Sequence, residues 1–397
     1  MSIRFIHCAD LHLDSPLRGL ERYDGAPAQE MREATRRAFV NVVDLAIDRE
    51  VDFVLIAGDV FDGDWQDFNT GLFFANQLRR LADSSVRVFI VRGNHDALSK
   101  ISKAVTLPKN THVFRAGKPD TIVDETLGVA IHGQSFASGV VTDDLASQYP
   151  EPRRGLLNIG LLHTALAGRE GHETYAPTTA ERLIDKGYDY WALGHVHNRE
   201  VVRETPWIVF PGNTQGRHAR ELGAKGCMLV EGSADEGIVS VEFVATDVAR
   251  WQHLEVDATD MTSVDDLQET VQQSVRAAVT KAGDRLLALR LTVHLRRWQH
   301  FGIRRCAEGA GTDRLRLLQG QQLTGQRLHQ AWRTRFPSPS GRIAAQRCAR
   351  GPDPGELHRP VLGCSRATGA ITDGGHGRHE PGRHDRAGEE PRRNPSS

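Results

Sequence analysis

Three short apolar runs, IRFIHC (3–8), FVLIAG (53–58) and VRVFIV (86–91), are separated by segments with helical spacing. No other feature constrains the fold as much. In residues 28–50, Met31, Ala34, Ala38, Val42 and Leu45 fall on one face of a helix, and residues 67–82 repeat the pattern. Strand–helix–strand–helix–strand implies parallel strands joined by right-handed crossovers. Further strands are expected at 128–132, 156–162, 188–193, 207–210, 226–231 and 238–245. They lack long intervening helices, so this part is expected to be more antiparallel. The pattern is that of an α/β chain with two facing mixed sheets and helices outside.

The residues at the ends of these strands narrow the reading. ADLH (9–12), GDVFD (58–62), GNHD (93–96), LLHT (161–164) and GHVH (194–197) each place a metal-competent side chain after an apolar run. Asp10 and His12 are two apart, so an extended backbone points both the same way. His195 and His197 share that spacing, Asp59 follows a strand and a glycine, and His163 ends LNIGLLH. Taken singly, each is ordinary. A strand-end Asp more often caps a helix, and GNHD alone could be a plain turn. Taken together they differ, because parallel strands bring their carboxyl ends to one rim. So many ionisable groups at one rim would be costly to desolvate without a cation. The seven candidates Asp10, His12, Asp59, Asn94, His163, His195 and His197 are too many for one ordinary site and suit two ions sharing a carboxylate. The set lacks cysteine and mixes imidazole, carboxylate and amide, which suits Mn²⁺, Fe²⁺ or Zn²⁺.

Charge and composition exclude other classes. Residues 1–296 hold 32 Lys+Arg against 42 Asp+Glu, while 297–397 hold 18 Arg, no Lys and nine acids. An acidic body is a poor non-specific binder of nucleic acid, so a DNA partner needs a local basic patch, bound metal or a second subunit. No run of apolar residues reaches the length of a membrane span. The N-terminus lacks the apolar stretch of a signal peptide, and the five cysteines show no CxxC spacing. A cytoplasmic protein is expected.

CADLHLDSPL, IAGDVFD, VRGNHD, ALGHVH and FPGNTQGRHARELGAKGC, in this order, resemble the calcineurin-like metallophosphoesterase superfamily. Within it they are similar to the bacterial DNA-repair exonucleases related to SbcD, on the YhaO-like branch. The resemblance spans residues 1–250 and weakens through 295. It implies a two-sheet sandwich flanked by helices. It implies one ion on Asp10, His12, Asp59 and His197 and another on Asp59, Asn94, His163 and His195, with manganese as the expected metal. A hydroxide shared by the ions would attack phosphorus. His95 would be the acid or phosphate stabiliser, with Asp96 orienting it. Asp62 is read either as a supporting partner or as a solvated acid. Arg217 and His218 are read either as phosphate contacts or as structural ion pairs. Trp65 and Phe68 are expected in the core rather than against DNA. The implied activity is cleavage of DNA by a homodimer working with an SbcC-like coiled-coil ATPase. A small-molecule or phosphoprotein phosphoesterase with the same centre, and a catalytically impaired repair scaffold or truncated product, are the rival readings.

A second unit begins near Trp251. WQHLEVD (251–257), a helical stripe of Val264, Leu267, Val271, Val275 and Ala278, and RLLALRLTVHL (285–295) open a small α/β domain. Residues 251–296 are read as a partial cap that helps select DNA. From 297 to 397 the chain is rich in Arg, Gly and Pro, without Lys or Tyr. Such sequence is a disordered basic tail or the out-of-frame translation of a GC-rich gene. The second reading also explains why the cap stops short, and it puts docking of the ATPase in doubt.

Overall fold

The computed structural model describes residues 2–15, 33–62, 67–99, 105–166, 175–261, 263–294 and 314–315. The first half runs β1 (Ile3–Cys8), α1 (Ala34–Asp48), β2 (Phe53–Ala57), α2 (Phe68–Asp83), β3 (Arg87–Val91), α3 (Asn94–Leu98), β4 (Thr111–Val113), β5 (Asp120–Asp124) and β6 (Val129–Gly133). There follow β7 (Leu157–His163), α4 (Ala180–Asp185), β8 (Tyr190–Gly194), β9 (Glu200–Glu204), β10 (Trp207–Phe210), β11 (Gly226–Ser233) and β12 (Gly237–Ala245). These strands form two six-stranded sheets, ordered β12-β11-β1-β2-β3-β4 and β5-β6-β7-β8-β10-β9. The fold is the expected α/β sandwich of two mixed sheets.

Pairing is parallel from β1 through β4, with β11 and β12 antiparallel at one side. The expectation of a more antiparallel second half holds for β11, β12 and the edges β5 and β9, but not for the centre of the second sheet. There β6, β7, β8 and β10 are all parallel. Their crossovers use a short 3₁₀ turn, Leu145–Gln148, the six-residue α4 and loops, so no long helical stripe marked them in the sequence.

Both faces of the first sheet are buried, which is why its strands read as unbroken apolar runs. Phe53, Leu55 and Ala57 of β2 point between the sheets, while Val54 and Ile56 point to the helices. Between the sheets Phe5 stacks on Phe53 at 4.9 Å and meets Tyr190 edge-on at 5.4 Å. Burying each such ring contributes about 1.5–3 kcal/mol. On the outer side α1 buries Ala34, Ala38 and Val42 of the expected stripe, with Phe39, Val43 and Ala46; Met31 lies outside the described residues. The Asp67 carboxylate caps α2 by accepting from the Asn69 amide.

The small unit comprises β13 (Ala249–Asp257), α5 (Val264–Ala282), β14 (Leu286–His294) and β15 (Arg314–Leu315). β13 and β14 are parallel, joined through α5, and β15 pairs antiparallel with β14. Leu267, Val271 and Val275 pack α5 onto Val256 and Leu291. Trp251 and Ala288, on the opposite face, pack against Ala34 of α1. Apart from 314–315, the expected tail lies outside the described residues. No described helix is long and apolar enough to cross a membrane.

Candidate metal centre

Every motif at the carboxyl ends of β1, β2, β3, β7 and β8 faces one pocket. Asp10, His12 and His197 offer ligand atoms within 4.8 Å of one another, as do Asp10, Asp59 and His163. Asn94 Oδ1 lies 3.0 Å from His163 Nε2, and the rings of His163 and His195 are 5.2 Å apart. The structure therefore gathers all seven candidates. Asp59 lies between its two sides, with Oδ2 3.5 Å from His163 Nε2 and 3.8 Å from His12 Nε2.

The backbone reaches this arrangement by turning sharply rather than by alternating. Asp10, His12, Asp59 and His195 have φ of 51°, 41°, 53° and 102°. The extended DxH and HxH geometry expected from spacing is thus replaced by left-handed turns, which cost of order 1–3 kcal/mol each. His197 turns toward Asp10 and His12, and His195 toward His163. Two glycines make room. Gly58, at φ 91°, sits where a Cβ would collide with His163 Nδ1. Gly93, at φ −87°, serves no left-handed turn. Its reason is space, because a Cβ there would collide with Asp59 Oδ1.

The donor set fits divalent cations. His163 Nδ1 is 2.9 Å from the Ala57 carbonyl and donates to it, so its Nε2 carries a lone pair. That lone pair faces the Asn94 carbonyl oxygen. Likewise His197 Nδ1 donates to Glu221 Oε1 at 2.8 Å, and His12 Nδ1 is turned to Asp62 Oδ1 at 3.4 Å. Their Nε2 atoms then face each other at 3.2 Å, lone pair to lone pair. Acceptors set against acceptors in a buried pocket call for a cation between them.

Protonation agrees. Burial pushes Asp10 up to about 6, against the pull of His197, the His195 amide and Arg217. Burial, then the charges of Asp96 and Asp10, raise Asp59 well above the carboxylate range. Burial, then Arg217, lowers His12; burial, then His195, lowers His163. Neutral imidazoles are already in the ligand form, and buried carboxyls that hold protons for want of counter-charge release them to a divalent ion.

His95 stands at the rim, with a side chain 39% exposed. Its expected partner was Asp96. Asp96 instead accepts from the amides of Val60, Phe61 and Gly93 and ties the GDVFD loop to the GNHD turn. The carboxylate facing His95 Nδ1, at 3.0 Å, is Asp62. Burial opposes ionisation of Asp62, yet hydrogen bonds from His12, His95 and Ser15 hold it well below the usual range. Of its two readings, the supporting partner is the one the geometry takes. Arg217 donates to Ser15 Oγ at 3.2 Å and lies 3.8 Å from Asp62 and 3.6 Å from Glu221. His218 lies 3.4 Å from Glu221. Phe68 is 59% exposed, not core, and Trp65 lies outside the described residues. Sequence reasoning missed Glu221 and Asp14. Asp14 is clamped by Arg36 and Thr70 and anchors the DLHLD loop to α1 and α2.

A family profile described as calcineurin-like phosphoesterase matches residues 3–199, and one described as metallophosphoesterase YhaO, middle domain, matches 251–316. An uncharacterized metallophosphoesterase YhaO of Bacillus subtilis is 35% identical over 276 residues, 68% of this chain and 67% of that protein. The chain belongs to the calcineurin-like metallophosphoesterases. DNA double-strand break repair protein Mre11 of Sulfolobus acidocaldarius is 23% identical over 298 residues, 70% of each chain. Mre11 of Methanopyrus kandleri is 25% identical over 280 residues, 62% of this chain and 58% of that protein. Calcineurin-like metallophosphoesterases use a dinuclear divalent metal site, and the pocket's residues suit one. The middle-domain match runs past residue 296, where the composition suggested the small domain ends.

Proposed function

We propose that this metallophosphoesterase hydrolyses DNA phosphodiester bonds in repair, as an exonuclease or endonuclease. The supporting observation is the reach of the similarity: Mre11 of Sulfolobus acidocaldarius aligns over 70% of this chain, more than the phosphoesterase profile's residues 3–199. Asp10, His12, Asp59 and His197 would hold one ion, and Asp59, Asn94, His163 and His195 the other. Bound ions would supply Lewis acidity at phosphorus and lower the pKa of the attacking water. His95, its Nδ1 held by Asp62 and its side chain 39% exposed, would donate a proton from Nε2 to the departing sugar oxygen. Asp96 keeps that turn in place through the backbone. Of the two readings of Arg217 and His218, the geometry takes the ion pairs, with Asp62 and Glu221, so the bound ions would carry most of the hold on a phosphodiester.

Manganese as the native ion, a homodimer, an SbcC-like coiled-coil ATPase as partner and a cytoplasmic location belong to the same proposal. The test is cleavage of end-labelled duplex and hairpin DNA with Mn²⁺, with and without a candidate ATPase. Cleavage lost on chelation supports the reading. Hydrolysis of aryl phosphate esters with none of DNA would move the chain to the small-molecule phosphoesterases.

A further inference from the structure

We propose that Glu221 is a positioning residue for the His197 side of the centre. The loop that carries it, residues 213–223, makes that side depend on how the small α/β domain is seated. The inference rests on the dinuclear reading, not on DNA as substrate.

An imidazole can offer an ion only one nitrogen, and the hydrogen bond at the other decides which. For His197 that bond goes to Glu221, which is 4% exposed. Glu221 is itself fixed, since Oε2 accepts from the Arg217 amide at 2.6 Å and from Asn213 Nδ2 at 2.9 Å. The first end of the chain of contacts is therefore rigid.

The second end grips the start of β13. Gln215, 1% exposed, accepts from the amides of Val248 at 2.9 Å and Ala249 at 3.1 Å and donates back to the Ala249 carbonyl at 2.5 Å. Trp251 Nε1 donates to the Gly216 carbonyl at 3.1 Å, and the Gly223 amide donates to the Trp251 carbonyl at 2.8 Å. Between the two ends there is no slack. A Cβ on Gly216 would lie 2.8 Å from the Glu221 carbonyl oxygen and 3.1 Å from Trp251 Cδ1. The same indole packs the small domain against Ala34 of α1.

His163 has no such connection through its ring nitrogen. Its Nδ1 bonds the Ala57 carbonyl, at the end of a core strand. A displacement of β13 therefore moves the support of His197 and leaves that of His163 in place. A contiguous hydrogen-bonded chain is a physical route for such coupling, and only measured coupling establishes it.

The experiment is calorimetric titration of the ion-free full chain with Mn²⁺, paired with electron paramagnetic resonance. Wild type should take up two ions. Glu221→Ala should weaken one of them by about 10–100-fold and leave the other unchanged. Glu221→Gln, which keeps an acceptor oxygen, should recover part of the loss. Trp251→Phe deletes the indole donor while keeping an aromatic ring, and carries the test should Glu221→Ala fail to fold. It should weaken the same ion several-fold, so that one equivalent of Mn²⁺ gives an uncoupled six-line spectrum. Trp251→Phe with unchanged affinities, or with both ions weakened in parallel, overturns the proposal. Fewer than two ions in wild type would instead bring down the dinuclear reading beneath it.

Discussion

The two sides of the centre are built from similar ligands but supported differently. His163 is fully buried, and main chain holds it: a carbonyl at its Nδ1, and Gly58 leaving room for its ring. His197 is 24% exposed, and a side chain holds it: Glu221, itself fixed by the Asn213 side chain and the Arg217 amide. One side is thus fixed by the sandwich core and the other by a surface loop. Core-strand support does not move without unfolding, whereas loop support can respond to a neighbouring domain. The difference teaches that a dinuclear site can be rigid at one ion and adjustable at the other.

The variant expected to erase this difference is Asp59→Ala. Because Oδ2 of Asp59 is near both His12 and His163, both ions should be lost, as read by metal analysis after gel filtration. A variant that keeps one ion would show that the carboxylate is not shared. His95→Ala should keep both ions and lose about 10²–10⁴-fold in cleavage rate, the usual contribution of a positioned acid. Loss of an ion instead would make His95 a ligand. Gly58→Ala probes the buried side alone. Overpacking against His163 should lower stability by about 1–3 kcal/mol and reduce occupancy of that side, checked by thermal unfolding and titration. Equal weakening of the His197 side would deny the separation.

A last effect is one of pH, confined to the ion-free protein. The Asp10 carboxyl, at about 6 when folded, keeps a proton that the unfolded chain releases near 3.8. Its penalty is absent below the unfolded value and complete above the folded one. Stability relative to Asp10→Asn should therefore fall by up to roughly 3 kcal/mol as pH rises from 4 to 7 in the presence of chelator. A constant difference between the two proteins across that range would contradict the burial argument.

The same division marks what was legible in the sequence. β1, β2, β3 and the stripes of α1 and α5 were readable because burial on both strand faces, or on one helix face, leaves periodic apolar patterns. The seven pocket residues were readable because strand ends are short and their polar residues stand out. β4, β5 and β9 were missed, being short edge strands with polar or partly exposed residues. The parallel centre of the second sheet was missed because its crossovers carry no long helix. Glu221 was invisible for another reason. Its partner His197 lies 24 residues away in the chain, and nothing in RHAREL separates a buried acid from a solvated one. Asp96 was assigned to His95 because it is its neighbour in the chain, and only the fold shows that Asp62 faces the ring instead.

The central claim is that one pocket holds two ions bridged by Asp59. Anomalous diffraction at the manganese edge from Mn²⁺-soaked crystals tests it directly. The account predicts two peaks about 3.5–4 Å apart, both within bonding distance of the Asp59 carboxylate. A single peak, or two peaks that do not share Asp59, would contradict it.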